Sequence, residues 1–344
     1  MPKPSPPTVA RQIVILALPG AFSLDVLGPL EIFHTAQELL DMRVPGTTRD
    51  SDRSQEHGEV TYNVRLVGAL PGPIETLSGV SLVASDVLEN IQDDVDTLLV
   101  AGGDIRRMTK ALEGHPKLKS ELRRVASGTR RLASVCTGSF VLAAAGLLNG
   151  KRVTTHWAAC DLLEERFPQL HVMREPIYTR DGNVYTSAGA TTGMDLTLAL
   201  VREDLGGKLA CEIARWLVLY VSRPGSQQQL SLSLRAQATE REPLRDLLHH
   251  ILENPQADLS VTALATRVGM SVRNFARMFR RELSMTPAAY VEASRVEAAR
   301  RKLEFGQDSI DEIAMEVGFR NADTLRRAFV RQTGAAPSVL RKRP

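Results

Sequence analysis

Short apolar runs alternate with longer stretches of helical periodicity through the first two thirds of the chain. The apolar runs are rich in β-branched residues and predict buried strands at 12–18, 63–69, 96–103, 130–135 and 152–157. The periodic stretches predict helices at 23–40, 117–128, 137–150, 159–168 and about 191–220. The pattern therefore predicts an α/β fold with a doubly wound, mostly parallel sheet flanked by helices.

Three segments depart from this alternation. Residues 171–189 alternate around Asp181-Gly182, which predicts an antiparallel hairpin. Residues 43–59 are polar, charged and without periodicity, and we interpret them as a surface loop. Residues 1–11 contain four prolines and predict a disordered leader.

The composition changes at 222–241, where we place an interdomain linker. Arg223-Pro224-Gly225 ends the preceding helical pattern, and three glutamines follow. Everything after this segment is helical in pattern, without a strand signal. The chain is therefore predicted to hold an α/β domain at 12–221 and an all-α domain at 242–344.

The all-α domain contains an internal repeat. LATRVGM (264–270) aligns with IAMEVGF (313–319) at an offset of 49, and the offset becomes 50 from Phe275 onward. One residue is therefore added in the turn or at the helix start of the second copy. Each copy predicts a short helix, a turn centred on Gly269 or Gly318, and a second helix, which is the spacing of a helix-turn-helix unit.

The charge distribution favours nucleic acid as the partner of this domain. The 344-residue chain has a net charge of +3, with 43% hydrophobic and 24% charged residues, values that exclude a largely disordered chain or a membrane bundle. Residues 241–344 hold 18 basic and 13 acidic side chains, and 16 of the basic ones are arginine. Residues 1–240 hold 25 basic and 27 acidic side chains. An Arg-rich domain on a near-neutral body is typical of DNA-binding proteins, and a solvated charged surface is the alternative.

The arginines fall on the second helix of each unit. Arg273, Arg277 and either Arg280 or Arg281 share a face that differs from the apolar stripe of the first unit. A helix fits the major groove of DNA, where arginine is the usual bidentate partner of guanine. Two copies with matching arginines favour DNA recognition over a merely solvated face.

Residues 245–342, and above all IAMEVGFRNADTLRRAFVRQTGAAPSVLRK (313–342), resemble the DNA-binding domain of the AraC/XylS family of transcriptional regulators. The resemblance implies that the two second helices enter successive major-groove segments of operator DNA. The DNA-contacting residues implied at matching positions are Arg273, Asn274, Ala276, Arg277, Arg280, Arg281, Ala322, Asp323, Arg326, Arg327 and Arg331. Relatives often carry a polar residue at the place of Ala322.

A candidate nucleophile lies in the α/β domain. The strand at 130–135 runs directly into Cys136, and the next helix begins at Thr137-Gly138, which is the arrangement of a nucleophile elbow. The partial positive charge of a helix N-terminus favours a thiolate at this place. Side chains that follow parallel strands converge at one edge of the sheet. The candidate pocket residues are Asp25, Gly102, Gly103, Cys136, Thr137, Gly138 and His156.

A structural role for His156 is an equal alternative. The other two cysteines, Cys160 and Cys211, fall on apolar helical faces and are predicted to lie in the core. Three widely spaced cysteines form neither a disulfide framework nor a metal site, so no metal and no cofactor is expected.

Residues 12–220 resemble the ThiJ/PfpI superfamily, whose fold is flavodoxin-like and related to class I glutamine amidotransferases. The motifs are LPGAFSLDVLGPLEIF, LLVAGG, SVCTGSFVLAAAGLLNGKRVTTHW and TSAGATTGMDLTLALV. Together with the C-terminal domain, they resemble the GlxA-type branch of AraC regulators. The resemblance implies that the α/β domain senses a small metabolite, often a nitrogen-containing one such as an amino acid or a quaternary amine.

The pocket residues leave two functions open. PfpI-type peptidases carry histidine directly after the nucleophile, where this chain has Thr137, and a glutamine amidotransferase needs a late histidine that 175–195 lacks. Asp25, Cys136 and Thr137 resemble the isonitrile hydratase branch, so an enzyme fused to a DNA-binding domain is the alternative. An idle cysteine in a ligand pocket is the favoured interpretation.

The sequence thus predicts a cytoplasmic, ligand-responsive transcriptional regulator rather than an enzyme. Its expected partners are operator DNA, a small-molecule effector, a second copy bound through the α/β domain and, for an activator, RNA polymerase. No membrane partner is expected, because no apolar stretch reaches the length of a membrane helix.

Overall fold

The computed structural model describes residues 9–42, 60–92, 94–219, 223, 225, 229, 232, 236, 239, 241–305, 308–333 and 336–340. The chain divides into two compact units between Gln229 and Leu230. Residues 1–8 of the predicted leader and the predicted loop at 43–59 lie outside the described residues.

The first unit is built on a seven-stranded sheet. The strands of the unit are β1 (Val9–Ala17), β2 (Val60–Gly68), β3 (Ile74–Glu75), β4 (Ser81–Leu82), β5 (Asp86–Val87), β6 (Val95–Val100), β7 (Arg131–Val135), β8 (Arg152–Val153), β9 (His171–Val172), β10 (Tyr178–Asp181) and β11 (Val184–Ser187). The sheet has the order β10-β11-β7-β6-β1-β2-β5, and only β10 runs antiparallel to its neighbour. The mostly parallel sheet and the hairpin around Asp181-Gly182 were both predicted from the sequence.

Helices cover both faces of this sheet. They are α1 (Ser23–Met42), α2 (Ile105–Gly114), α3 (Lys117–Ser127), α4 (Gly138–Ala144), α5 (Cys160–Arg166) and α6 (Ala190–Trp216). Successive side chains of β1 point to opposite faces: Val14 and Leu16 pack in the core beneath α2–α5, whereas Ile13 and Ile15 pack in the core beneath α1 and α6. This double burial explains the continuous apolar run of the first strand.

The predicted strand at 152–157 is wrong beyond its first two residues. Only β8 is extended, and it pairs with β9 in a separate two-stranded sheet. The next two residues make hydrogen bonds between backbone and side chain, not the backbone-to-backbone bonds of a sheet. The backbone N–H of Thr154 donates to Thr186 Oγ1, and Thr155 Oγ1 donates to the Cys136 carbonyl. A run of Val and Thr predicts an extended backbone, but it does not show whether that backbone bonds to a neighbouring strand or to side chains.

Cys211 is exposed, although it was predicted to lie in the core, and a break in α6 accounts for the difference. Gly206 has φ 86° and ψ 170°, so the helix direction changes there. The periodicity of the first half is not continued after this residue, and Cys211 is exposed, whereas Cys160 is buried as predicted. The leader also ends earlier than predicted, because β1 begins at Val9.

A buried ionic cluster lies at the amino ends of the central strands, opposite the edge that carries Cys136. Asp204 on α6 accepts hydrogen bonds from Arg131 at 2.8 Å and from the Tyr62 hydroxyl at 3.0 Å. The side chains of Arg131 and Asp204 are each 2% exposed. Glu203 also accepts from Arg131, at 2.8 Å. The cluster therefore fixes the start of β7 to the middle of α6.

The second unit consists of helices in the described residues. They are α7 (Glu242–Glu253), α8 (Val261–Arg267), α9 (Val272–Leu283), α10 (Pro287–Phe305), α11 (Ile310–Glu316), α12 (Ala322–Thr333) and α13 (Pro337–Leu340). The pairs α8–α9 and α11–α12 are the two predicted helix-turn-helix units. Gly269 and Gly318 have φ values of 66° and 82°, which explains glycine in both turns. The added residue of the second copy lies in the turn, since four residues separate α8 from α9 and five separate α11 from α12.

Part of the predicted linker at 222–241 belongs to the folded units. Leu232 and Ala236 are 2% and 0% exposed and pack with the buried residues of α7–α10. On the other side, Gln229 is bound to the first unit. The division between the two units lies inside the predicted linker. A segment without apolar periodicity can still contribute isolated anchors to a core, so composition does not show which of its residues are attached to a folded unit. Among the described residues, no helix is long and apolar enough to cross a membrane.

Candidate functional site

Cys136 occupies a strained turn between β7 and α4. Its φ of 54° lies in the left-handed region, which a residue with a side chain rarely adopts, at a cost of about 1–3 kcal/mol. The turn is held from several sides: the Cys136 N–H donates to the Ser187 carbonyl at 2.9 Å, and the hydroxyls of Thr155 and Ser139 donate to its carbonyl. The predicted elbow is therefore present, and surrounding hydrogen bonds hold its strained backbone in place.

Asp25 lies beside the cysteine in the first turn of α1. Its side chain is fully buried, and neither carboxyl oxygen has a hydrogen-bond partner of good geometry in the described part of the chain. Burial raises the pKa of Asp25 to about 7, although the neighbouring Cys136 thiol and the Gly102 N–H lower it in part. The carboxyl group is thus a buried acceptor that lacks a strong donor.

The Cys136 side chain is a thiol at neutral pH. Burial raises its pKa to about 12, and the negative charge of Asp25 adds to this effect. Hydrogen bonds from the Thr137 backbone and side chain lower the pKa in part but do not outweigh burial. The expectation that the helix N-terminus makes Cys136 a thiolate is therefore wrong, because desolvation and the neighbouring carboxyl dominate.

Two glycines, Gly102 and Gly138, permit close packing of the backbone at the elbow. A Cβ on Gly102 would lie 2.7 Å from Asp25 Oδ2, from Cys136 Cβ and from Thr137 N. A Cβ on Gly138 would lie 2.3 Å from the Val100 carbonyl oxygen, so this glycine permits close packing of α4 on β6. Thr137 Oγ1 donates to the Gly103 carbonyl at 2.7 Å and accepts from the Gly103 N–H at 2.8 Å. The Gly103 N–H is therefore occupied by Thr137.

His156 borders the other side of the cysteine. Gly189 lies between them, since a Cβ on it would be 3.4 Å from His156 Cδ2 and 3.7 Å from Cys136 Sγ. His156 Nδ1 accepts from the Ala158 N–H at 3.3 Å, so the neutral ring carries its proton on Nε2. Partial burial lowers the pKa of His156, which favours this neutral form. His156 therefore has a structural role as a cap and also borders the site.

The structure brings Asp25, Gly102, Cys136, Thr137 and His156 together at the carboxyl edge of the sheet. Gly189 and Thr155 belong to the same place, although the sequence alone did not identify them. The sequence feature that could have pointed to Gly189 is the run of small residues TSAGATTG, which spans the end of β11 and the start of α6. Among the described residues, no three His, Cys, Asp or Glu side chains are grouped as metal ligands.

The second helix of the first helix-turn-helix unit exposes its arginines. Phe275 and Phe279 are fully buried, whereas Arg273 and Arg277 are exposed on the opposite face. Ser271 caps the helix by accepting the Asn274 N–H. Of the remaining predicted residues, Asn274, Arg280 and Arg281 are exposed and Ala276 is half-buried.

The second unit presents a smaller exposed set than predicted. Arg326 and Arg327 are exposed, and Arg326 is paired with Asp323 at 2.8 Å. Ala322 is only 5% exposed and packs inside the domain, so little of its side chain is available for the predicted base contact. Arg331 is exposed but pairs with Glu292 on α10 at 2.6 Å, which links two helices of the domain.

Protein families match both units of the chain. The DJ-1/PfpI family model matches residues 11–203, and a helix-turn-helix domain model matches residues 264–343. The chain is 31% identical over 279 residues to the HTH-type transcriptional regulator CdhR of Pseudomonas aeruginosa, covering 80% of this chain and 81% of that protein. It is 30% identical over 288 residues to the HTH-type transcriptional regulator GlxA of Rhizobium meliloti, covering 83% and 87%.

Two further similarities concern the first unit. The chain is 32% identical over 201 residues to the isonitrile hydratase of Pseudomonas putida, covering 58% of this chain and 74% of that enzyme. A ThiJ/PfpI family protein from Pseudomonas syringae superposes with a TM-score of 0.51 at 21% identity, covering 76% of this chain and 91% of that chain. The latter similarity shows the shared fold.

Fold and site together define a DJ-1/PfpI-type α/β domain joined to an AraC-type DNA-binding domain. The chain belongs to the DJ-1/PfpI family, in the GlxA-type branch of AraC transcriptional regulators.

Proposed function

We propose that this protein regulates transcription in response to a small molecule that binds beside Cys136. The observation that carries the DNA-binding half is the exposed, matched arginine pair of Arg277 and Arg327 on the second helices of two helix-turn-helix units. The observation that carries the sensing half is the buried Asp25 carboxyl without a good hydrogen-bond donor.

Selection from a random pool of DNA duplexes tests the DNA-binding half. The full chain should enrich one sequence with two conserved segments about one helical turn apart, because each unit reads one major-groove segment. Enrichment of no common sequence, at a salt concentration where the protein still retains DNA, would contradict sequence-specific regulation.

The ligand of the sensing site is proposed to carry a hydrogen-bond donor or a positive charge, as a nitrogen-containing metabolite does. Either group would satisfy the Asp25 carboxyl, which is otherwise buried at a cost. The purified protein should retain such a molecule, detectable by mass spectrometry after denaturation. Asp25→Asn should lose it, while Glu31→Gln on the exposed face of the same helix should keep it.

The same site is proposed to bind without catalysis. A cysteine nucleophile needs a thiolate, but the pKa of Cys136 is raised to about 12. His156 makes no hydrogen bond to Cys136 that would let it act as a base, among the described residues.

Hydratase chemistry is the second candidate, since Asp25, Cys136 and Thr137 lie together and an isonitrile hydratase is a relative. Turnover of an isonitrile by the parent protein, absent in Cys136→Ala, would favour it over sensing.

The proposal extends to the partners of the protein. We place the protein in the cytoplasm with operator DNA, as a homodimer formed through the first unit, without a cofactor. RNA polymerase is the further partner of an activator. Sedimentation of the full chain with and without the selected DNA tests the dimer, and a monomer at micromolar concentration in both samples would contradict it.

A further inference from the structure

Gln229, the last residue of the first unit, is fixed to the two segments that follow β8 and β9. Its Nε2 lies 3.0 Å from Thr154 Oγ1, 3.0 Å from the Thr155 carbonyl, 3.1 Å from the Arg174 carbonyl and 3.3 Å from the Pro176 carbonyl. Its own N–H donates to the Glu175 carbonyl at 2.9 Å. Four acceptors around one amide nitrogen require a donor at this position.

Arg223 is fixed to the start of α6. Its N–H donates to Asp195 Oδ1 at 2.8 Å, and its Nε donates to Asp195 Oδ2 at 2.9 Å. Its Nη2 donates to Thr191 Oγ1 at 2.8 Å. Asp195 is 5% exposed, whereas the Arg223 side chain is 32% exposed. The buried carboxylate and its two hydrogen bonds from Arg223 hold this half-buried arginine in one geometry.

The places where Gln229 and Arg223 are held each connect to the Cys136 site through one intervening residue or helix. Thr155, whose carbonyl receives the Gln229 amide, donates its hydroxyl to the Cys136 carbonyl at 2.9 Å. Gly189, which touches both Cys136 and His156, directly precedes α6, the helix that holds Arg223. A group that enters between Sγ and His156 therefore presses on both segments that hold the two residues.

We propose that Arg223 and Gln229 form a latch that couples occupancy of the Cys136 site to the chain leading into the DNA-binding domain. An occupant beside Sγ displaces the His156 segment and the start of α6, which weakens the bonds of the latch. Arg223 and Gln229 then lose their hydrogen bonds to the first unit, and the chain that leads to the DNA-binding domain is no longer anchored at these two residues. This inference rests on the proposed sensing function and names its route to the DNA-binding domain.

Alkylation of Cys136 by iodoacetamide provides an occupant of known identity. Because the raised pKa of this thiol slows the reaction, alkylation is carried to completion at alkaline pH, verified by intact mass, and followed by return to neutral pH. The experiment uses the full chain with Cys211→Ser, which removes the exposed thiol. Hydrogen exchange is measured for peptides that contain the Arg223 and Gln229 N–H groups, before and after alkylation. Their exchange should accelerate at least about fivefold, the lower end of typical coupling between linked sites. Peptides from β1 and β6 should be unchanged.

The reverse direction uses variants of the latch. Gln229→Glu replaces the donor by a carboxylate of the same size that faces four acceptors, so it should open the latch and speed alkylation of Cys136. Gln169→Glu is the matched control, because Gln169 is exposed and bonds only to Asn149 through its side chain, among the described contacts. If Gln229→Glu fails to fold, Arg223→Gln takes its place. This variant removes the charged pair with Asp195 and should likewise speed alkylation of Cys136.

The selected DNA completes the test. Alkylation should change the DNA affinity of the parent protein but not that of Gln229→Glu, whose latch is already open. Unchanged exchange at Arg223 and Gln229 after alkylation would overturn the latch, as would equal behaviour of Gln229→Glu and Gln169→Glu. The exchange and alkylation measurements need no DNA, so a failure of DNA recognition is distinguishable from a failure of the latch.

Discussion

The ionisation of Asp25 and Cys136 is decided by their surroundings rather than by their places in the chain. A cysteine at the start of a helix is expected to lose its proton, and a carboxyl on a first helical turn is expected to stay charged. Burial reverses both tendencies, raising the pKa of Asp25 to about 7 and that of Cys136 to about 12. Both shifts favour the uncharged forms of the two side chains over the thiolate and the carboxylate.

We expect Asp25→Asn to make the first unit more stable at pH 8 and to flatten its pH dependence. The pKa of Asp25 is raised from 3.8 to about 7 in the folded state, so the folded chain binds more protons between these values. Stability therefore falls as the pH rises from about 4 to 7, by about 4 kcal/mol if no other group compensates. Urea unfolding at pH 5 and pH 8 measures the difference. A variant that keeps the slope of the parent would contradict burial as the cause, and Glu31→Gln serves as control.

At the scale of elements, two long-range polar contacts organise the α/β domain. The Cys136 site lies at the carboxyl end of β7, and the buried Arg131–Asp204 pair lies at its amino end. The sequence predicted β7, α4 and the elbow because their signals are local. It could not pair Arg131 with Asp204, or Cys136 with Gly189, because residues far apart in the chain give no local pattern.

We expect Asp204→Ala to destabilise the first unit by about 3–5 kcal/mol, since it leaves the buried Arg131 without its main partner. The measurement is urea unfolding followed by circular dichroism. Asp161→Ala is the matched control, because Asp161 is 91% exposed and pairs with an exposed arginine, Arg174. Exposed pairs of this kind contribute about 0–1 kcal/mol. Equal losses in the two variants would show that the cluster is not a structural support.

The recognition helices give a prediction at the same scale. Arg277→Ala and Arg327→Ala should each weaken binding to the selected DNA at least about tenfold, because a base-edge contact contributes about 1–3 kcal/mol. Each should relax base preference in a different half of the site. Arg331→Ala is the control, because that guanidinium pairs with Glu292 and should affect stability more than base preference. Titrations against selected and scrambled DNA at two salt concentrations separate these outcomes.

Equal weakening on both DNAs for Arg277→Ala and Arg327→Ala would mean that the two arginines contact phosphate rather than bases. The sequence placed both correctly on exposed faces, since helical periodicity is a local property. It did not predict the burial of Ala322, which depends on how α12 packs in the domain.

At the scale of the whole molecule, the two-domain organisation was predictable from the sequence, whereas the attachments of individual linker residues to the two units were not. Alternating strand and helix patterns, the Arg-rich composition and the repeat each distinguish one half from the other. The linker lacks such a signal: Gln229 is bound by one unit, and Leu232 and Ala236 are buried in the other. Single anchors of this kind have no periodicity, so composition assigned all of 222–241 to an interdomain linker.

The boundary can be tested with two fragments of the DNA-binding domain. A fragment of residues 230–344 keeps Leu232 and Ala236 in the core, as well as the hydrogen bond from the Tyr290 hydroxyl to the Leu232 carbonyl. A fragment of residues 242–344, which follows the composition, loses all three. Burial of a leucine contributes about 1.5–3 kcal/mol and a methyl group about 0.8. We therefore expect the shorter fragment to be less stable by about 2–4 kcal/mol in urea unfolding, with weaker DNA binding near its melting temperature. Leu232→Ala in the longer fragment should reproduce most of that loss, and equal stability of the two fragments would place the boundary at 241 after all.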